Sequence, residues 1–294
     1  MKKVKRISNQ TIIILLQITT VAVFLGRAWQ HLAWDAPFRT LLWDEDLMKG
    51  IIENLFSTPW QEYITSPVLD ERIESIIKGT GWFYIACALM ALLINKWRKV
   101  AGIFMFLGSV SLLILAMLYC KERFFSLGQF FEYTLQFSSP LFLYYAVKQG
   151  NINDRLFFYM KLAIAFTFVC HGLYAVGYYP RPGYFTEMTM NILGIKEDLA
   201  VQFLLFAGLM DFVIGVGIFL PLRWSKWLLF YAIVWGFFTT IARIWAYVSF
   251  DYFLESAKQF VHESVFRVPH FMIPLVLYLL IYRNTKDTDL LKKF

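Results

Sequence analysis

Nine ionisable side chains lie inside long apolar runs or at their edges: Arg27, His31, Glu132, His171, Asp211, Arg243, Glu263, Arg267 and His270. A charge deep in a bilayer is costly unless it is paired or hydrated, so each is a functional candidate by default. The residue types suit an outward-facing polar pocket that binds a small anion or a quinone headgroup. In that reading Arg27 and Arg243 supply fixed positive charge. His171 and Asp211 exchange a proton, histidine being the side chain that titrates near neutrality. His31 lies four residues from Arg27 and shares its helix face. Glu132, Arg267 and His270 are secondary candidates. The competing reading makes all of these buried polar ties between helices. Asp211 and Arg243 are expected to pair, with His171 as a third partner, and Arg27 to find Glu132 or a loop carboxylate. His262 reads as a solvated loop residue.

The sequence holds no metal-site spacing. Cys87, Cys120 and Cys170 form no C-x-x-C pair, and no H-x-x-x-H or E-x-x-H marks haem or a di-iron site. No motif for haem, flavin or an iron–sulfur cluster is evident in the chain.

The elements that must position these groups follow from composition. Of 294 residues, 59% are apolar and 19% aromatic, while 17% are charged against about 25% in soluble domains. This excludes a water-soluble globule and a disordered chain. The net charge of +7 is spread in short tracts beside apolar runs, which reads as a topology signal and not as a nucleic-acid surface. The runs predict about eight transmembrane spans at 11–34, 81–95, 100–119, 128–147, 156–178, 199–221, 227–249 and 268–283. All must be helices, because lipid offers no partner to free backbone groups. The fold class is therefore an all-α polytopic membrane protein.

Met1–Arg6 followed by an apolar run reads as an uncleaved first span. An even number of spans puts both termini on one side. Lys and Arg dominate the loops on that side: Lys2, Lys3, Lys5 and Arg6; Lys96, Arg98 and Lys99; Lys148 and Arg155; Arg223 and Lys226; Arg283, Lys286, Lys292 and Lys293. The positive-inside rule makes it cytoplasmic, and the flanking pattern suggests a bacterial inner membrane. The loop 35–80, rich in acids, tryptophan and proline, falls outside. It reads either as a short helix lying on the membrane surface or as a lid over the pocket.

Two four-span units are discernible, 1–149 and 150–294. Each has a tight basic turn between its second and third spans, NKWRK (95–99) and LRWSK (222–226), and a proline in its fourth, SSPLFLYY (138–145) and MIPLVLYL (272–279). The first spans align as VFLGRAWQ (23–30) and TFVCHGLY (167–174), with Arg27 opposite His171. The order suggests a tandem duplication of one four-helix bundle. Gly208, Gly215 and Gly217 read as close-packing positions between helices.

FTFVCHGLYAVG (166–177) and LMDFVIGVGIFLPLRWSKW (209–227) resemble the first and second helices of the DoxX-like family. The first half resembles that family, and the HTTM domain of carboxylase-like membrane proteins, more loosely. The DoxX-like resemblance implies a four-helix membrane unit associated with quinone or sulfur redox chemistry. A redox partner subunit would then hold the electron-transfer cofactor. Where the family carries glutamate, this chain has Asp211. The alternatives are a non-enzymatic membrane scaffold or assembly factor, and a transporter of a small anion. Against a transporter stand the expectation of unbroken helices and the lack of inverted repeats.

Overall fold

The computed structural model describes residues 8–291, so the basic tract Met1–Arg6 and Lys292–Lys293 lie outside the described residues. Among these residues every regular element is a helix and no strand occurs. The first half contains α1 (Asn9–Ala33), α2 (Arg39–Leu42), α3 (Glu45–Phe56), α4 (Trp60–Thr65), α5 (Pro67–Leu92), α6 (Arg98–Glu122), α7 (Leu127–Glu132) and α8 (Thr134–Gln149). The second contains α9 (Asp154–Val176), α10 (Gly183–Leu193), α11 (Glu197–Gly217), α12 (Leu222–Tyr247), α13 (Phe253–Val265) and α14 (Pro269–Leu291). Polar caps mark several starts. Ser8, Asp44 and Asn153 accept from the backbone N–H three residues on, at the heads of α1, α3 and α9.

Among the described residues, seven segments are long and apolar enough to cross a bilayer: Asn9–Ala33, Pro67–Leu92, Arg98–Glu122, Asp154–Val176, Glu197–Gly217, Trp224–Tyr247 and Phe253–Arg283. The predicted fourth span, 128–147, is instead split at Tyr133 into α7 and α8. α8 has 16 residues, yet it runs beside α1 over much of that helix's length. Gln136 near its start meets Arg27, and Gly150 just past its end accepts from Asn9 Nδ2 at 3.1 Å. Arg283 donates to Asn9 Oδ1 at 2.5 Å, which brings the ends of the first and last long helices together. The last span is broken as well, between Val265 and Pro269. The expectation of unbroken helices is therefore corrected: the α7–α8 and α13–α14 segments each carry a break beside ionisable residues. α5 also starts at Pro67 and not near 81, so residues 67–80 of the predicted loop are helix continuous with the second span. The polar residues between Asp70 and Lys78 hid that continuity.

α1, α5, α6 and α8 pack as one group, and α9, α11, α12 and α14 as another. α8 against α9 and α1 against α14 join them. One apolar core runs through both, from Leu16 and Phe24 to Ile164, Ile214 and Leu277. α9 and α11 approach closely through glycine. A Cβ on Gly172 would lie 2.8 Å from the Gly208 carbonyl oxygen, and one on Gly208 would lie 2.9 Å from that of Gly172. Only glycine at both positions lets the two backbones approach this closely. At the end away from Asn9 and Arg283, α2 and the head of α3 are tied to the bundle by Arg39, which bonds Asp70 at 2.7 Å and Asp35 at 3.1 Å, and by Lys121 with Asp44.

Two outcomes follow. Gly208→Leu should wedge α9 from α11 and cost about 1–3 kcal/mol, read as a clear fall in melting temperature in detergent, while Gly50→Leu, where space is open apart from Asn54, should not. The Lys121 ammonium holds the Asp44 carboxyl below the usual aspartate range. A depressed carboxyl gives stability above its unfolded pKa and loses it as pH falls. The protection factors of amides in α2 and α3, which take out the intrinsic pH dependence of exchange, should therefore be higher at neutral pH and fall as pH drops below the ordinary aspartate value of about 3.9.

Candidate functional site

The second half encloses a cavity of about 350 Å³ between α9, α10, α11, α12 and the head of α14. Its walls are mainly apolar and aromatic, with Phe168, Phe185, Phe203 and Phe238 among them. Five ionisable side chains enter it: His171, Asp211, Arg243, Arg267 and His270. Each had been a candidate from sequence, and the fold brings all five to one space. Leu193, Phe238 and Trp245, also in the lining, are 48%, 47% and 60% exposed on the protein's surface. The cavity thus reaches the outside of the helix bundle beside α12.

Glu263 on α13 organises the cations. Its carboxylate accepts from Arg243 Nε and, at 3.2 Å, from Arg267 Nη1. Arg267 Nη1 also donates to the Glu263 backbone carbonyl at 3.0 Å. The Arg243 guanidinium stands 5.0 Å from the centre of the Tyr184 ring. Tyr184 lies on α10, outside the spans, and burial raises its pKa, which keeps the phenol neutral. The expected Asp211–Arg243 pair is not formed. α13 folds back against α12 and gives Arg243 a nearer carboxylate. Asp211, 4% exposed, keeps Oδ1 without a hydrogen-bond partner, and the Trp235 indole lies against its carboxyl.

The histidines meet edge to face, with ring centres 5.6 Å apart. His270 Nδ1 lies 2.8 Å from the Arg267 carbonyl oxygen. A carbonyl only accepts, so Nδ1 carries the proton and Nε2 is left as an acceptor. That Nε2 is buried and unpartnered. His171 stacks on Phe185 and places Nε2 3.3 Å from Glu132 Oε1, which comes from the end of α7.

Arg27 and His31 do not reach the cavity. Arg27, 1% exposed, donates to Gln136 Oε1 at 2.6 and 3.1 Å and to Gln30 Oε1 at 2.6 Å. Its guanidinium also faces Tyr133 at 5.0 Å and Phe266 at 3.8 Å. The expected acidic partner is thus replaced by glutamine carbonyls and aromatic faces, because Glu132 turns toward α9. Tyr133 and Phe266 belong to the two helix breaks, so Arg27 bridges them. A Cβ on Gly26 would lie 2.6 Å from the Phe266 backbone nitrogen, so α1 presses directly on the second break. His31 bonds the Arg27 carbonyl through Nδ1 at 2.7 Å. His262 is also corrected: it is buried on α13, its ring 6.2 Å from that of Trp29.

One role and one wall escaped the sequence reading. Glu263 is among the nine candidates, but the low hydropathy of its segment hid that it turns inward as the partner of both arginines. α10 supplies Phe185, Met188, Thr189, Ile192 and Leu193 to the cavity. Its signal was present as apolar residues at helical spacing between Gly183 and Gly194. Among the described residues no group of His, Cys, Asp or Glu could hold a metal ion.

Residues 165–256 match the family model described as the DoxX-like family. The resemblance seen in the second half is thereby shown, and the matched stretch includes every cavity residue from Phe168 to Trp245. No curated protein and no solved structure matches the chain.

Arg27→Lys should lower the melting temperature markedly although charge is kept. An ammonium cannot serve both glutamines and two rings at once. A variant as stable as the parent would show that the planar contacts are idle.

Proposed function

We propose that this is a multi-pass membrane subunit whose cavity receives a quinone headgroup from the bilayer and which works beside a redox partner carrying the electron-transfer cofactor. The observation that carries the reading is the cavity itself. It combines aromatic walls with a few convergent polar groups, the usual make-up of a small-molecule site, and it lies mainly within the DoxX-like stretch. His270 Nε2 and Asp211 Oδ1 can face headgroup hydroxyls or carbonyls, and the lipid-side approach at Phe238 and Trp245 suits a ligand with an apolar tail.

In the same reading the end that holds Asn9, Gly150 and Arg283 is cytoplasmic, since Lys96, Lys99, Lys148, Arg155 and Lys226 belong to its loops and turns. The cavity then lies toward the outer side of an inner membrane. The two halves are a tandem duplication, 1–149 and 150–294. Each runs long helix, outer helical insertion, long helix, tight turn, long helix, short helix, proline-bearing helix. A second reading, carriage of a small anion, is favoured by the paired breaks, because interrupted helices at matching positions commonly build transporter sites.

The test is titration of decylubiquinone into the protein in lipid nanodiscs. Saturable binding is expected, and Ala242→Phe, which fills the cavity from α12, should weaken it about tenfold or more, a loss of about 1.4 kcal/mol, with melting unchanged. Absence of saturable binding, with unchanged quinone reduction in a deletion strain, would overturn the redox reading.

A further inference from the structure

Charge in and around the cavity does not balance. Two guanidiniums line the cavity, Arg243 and Arg267, while Arg27 lies behind the helix breaks and is not counted. Glu263 is shared between Arg243 and Arg267, and Glu132 faces His171. The remaining carboxyl is Asp211, which has no cation within ion-pair distance among the described residues. Facing the cavity with it are His171 from α9, Arg243 from α12, and Arg267 and His270 at the α13–α14 junction; Tyr231 of α12 also lies near. α10 adds no ionisable lining residue. His270 is counted as neutral, and the His171–Glu132 pair, Nε2 to Oε1 at 3.3 Å, is counted as neutral with one proton between its two groups, which leaves the Arg243–Glu263–Arg267 bridge with one positive charge in excess.

With Asp211 protonated, the cluster therefore carries one uncompensated positive charge in a low-dielectric wall, where a mobile anion is strongly favoured. With Asp211 ionised the cluster is neutral and that attraction is lost. The apolar lining and the surface-exposed Phe238 and Trp245 add a place for a hydrocarbon chain.

We infer that the cavity binds an amphiphilic monoanion, an acidic headgroup on an apolar chain, together with one proton held on Asp211. The headgroup lies by the Arg243–Glu263–Arg267 bridge, and the chain leaves beside α12. The inference rests on the reading above that this cavity is a ligand site, and not on the redox role.

The test is isothermal titration calorimetry on the full chain in nanodiscs of zwitterionic lipid, with empty nanodiscs subtracted. Dodecanesulfonate serves as probe because its charge does not titrate, with dodecanol and methanesulfonate as comparators. Two buffers of different ionisation enthalpy count the protons taken up. Dodecanesulfonate should bind at least about tenfold more tightly than either comparator, with uptake of about one proton per anion and an affinity that falls as pH rises. Asp211→Asn, which fixes the neutral form, should bind it with pH-independent affinity and no proton uptake. Arg243→Gln should erase the preference over dodecanol.

Equal binding of dodecanol would overturn the anion requirement, and equal binding of methanesulfonate the requirement for a chain. Proton uptake that is absent, or that persists in Asp211→Asn, would overturn the proton partner. A protein that ignores decylubiquinone but meets these expectations loses the redox reading alone. One that binds decylubiquinone but shows no preference for the sulfonate loses this inference alone.

Discussion

The arrangement depends on one carboxylate. Glu263 holds Arg243 and Arg267 together, both of them largely buried, and a buried guanidinium without an anion would be far more costly than the pair. The bridge fixes α13 against α12 and sets the height at which α14 begins. It also orients the Arg267 backbone carbonyl, which takes both the Thr240 hydroxyl and the His270 ring. The tautomer of His270, and so the acceptor it offers to the cavity, follows from that one ion pair.

The break between α13 and α14 is thus more than a bend. It frees a carbonyl that pins His270, and Phe266 stacks against Arg27 of the first half. The break between α7 and α8 mirrors it, with Glu132 turned to His171 and Tyr133 turned to Arg27. Arg27 therefore ties the two breaks from the side away from the cavity. The two halves share a polar seam where His171 and Glu132 meet, and an apolar core elsewhere. Such a seam gives the cavity a rigid back wall, while its α12 side stays next to lipid.

Much of this was legible in the sequence because lipid is a demanding solvent. Long apolar runs had to be helices, and His171, Asp211 and Arg243 had to face inward, so their convergence on one space follows from the cost of exposing them to hydrocarbon. Gly208 was readable as a packing position for the same reason. The pairing was not readable. Asp211 and Arg243 lie on neighbouring helices, but which carboxylate Arg243 meets depends on how α13 folds back, and spacing along the chain does not encode that register. Glu263 was named among the candidates, but its role as the shared partner of two arginines was missed because its segment is too polar to look membrane-embedded. The break at Tyr133 was missed because an interrupted helix keeps its apolar composition. The α10 wall needed only attention to the helical spacing between two glycines.

The central claim, that Glu263 bridges two buried arginines, is tested most directly by comparing the thermal stability of Glu263→Gln, Arg243→Gln and the double variant. The single loss of Glu263 strands two cations and should cost about 3–5 kcal/mol. Removing Arg243 as well should recover part of that stability, so the double variant melts above Glu263→Gln. Additive losses, with the double variant melting below both single variants, would contradict the bridge and the cavity architecture built on it.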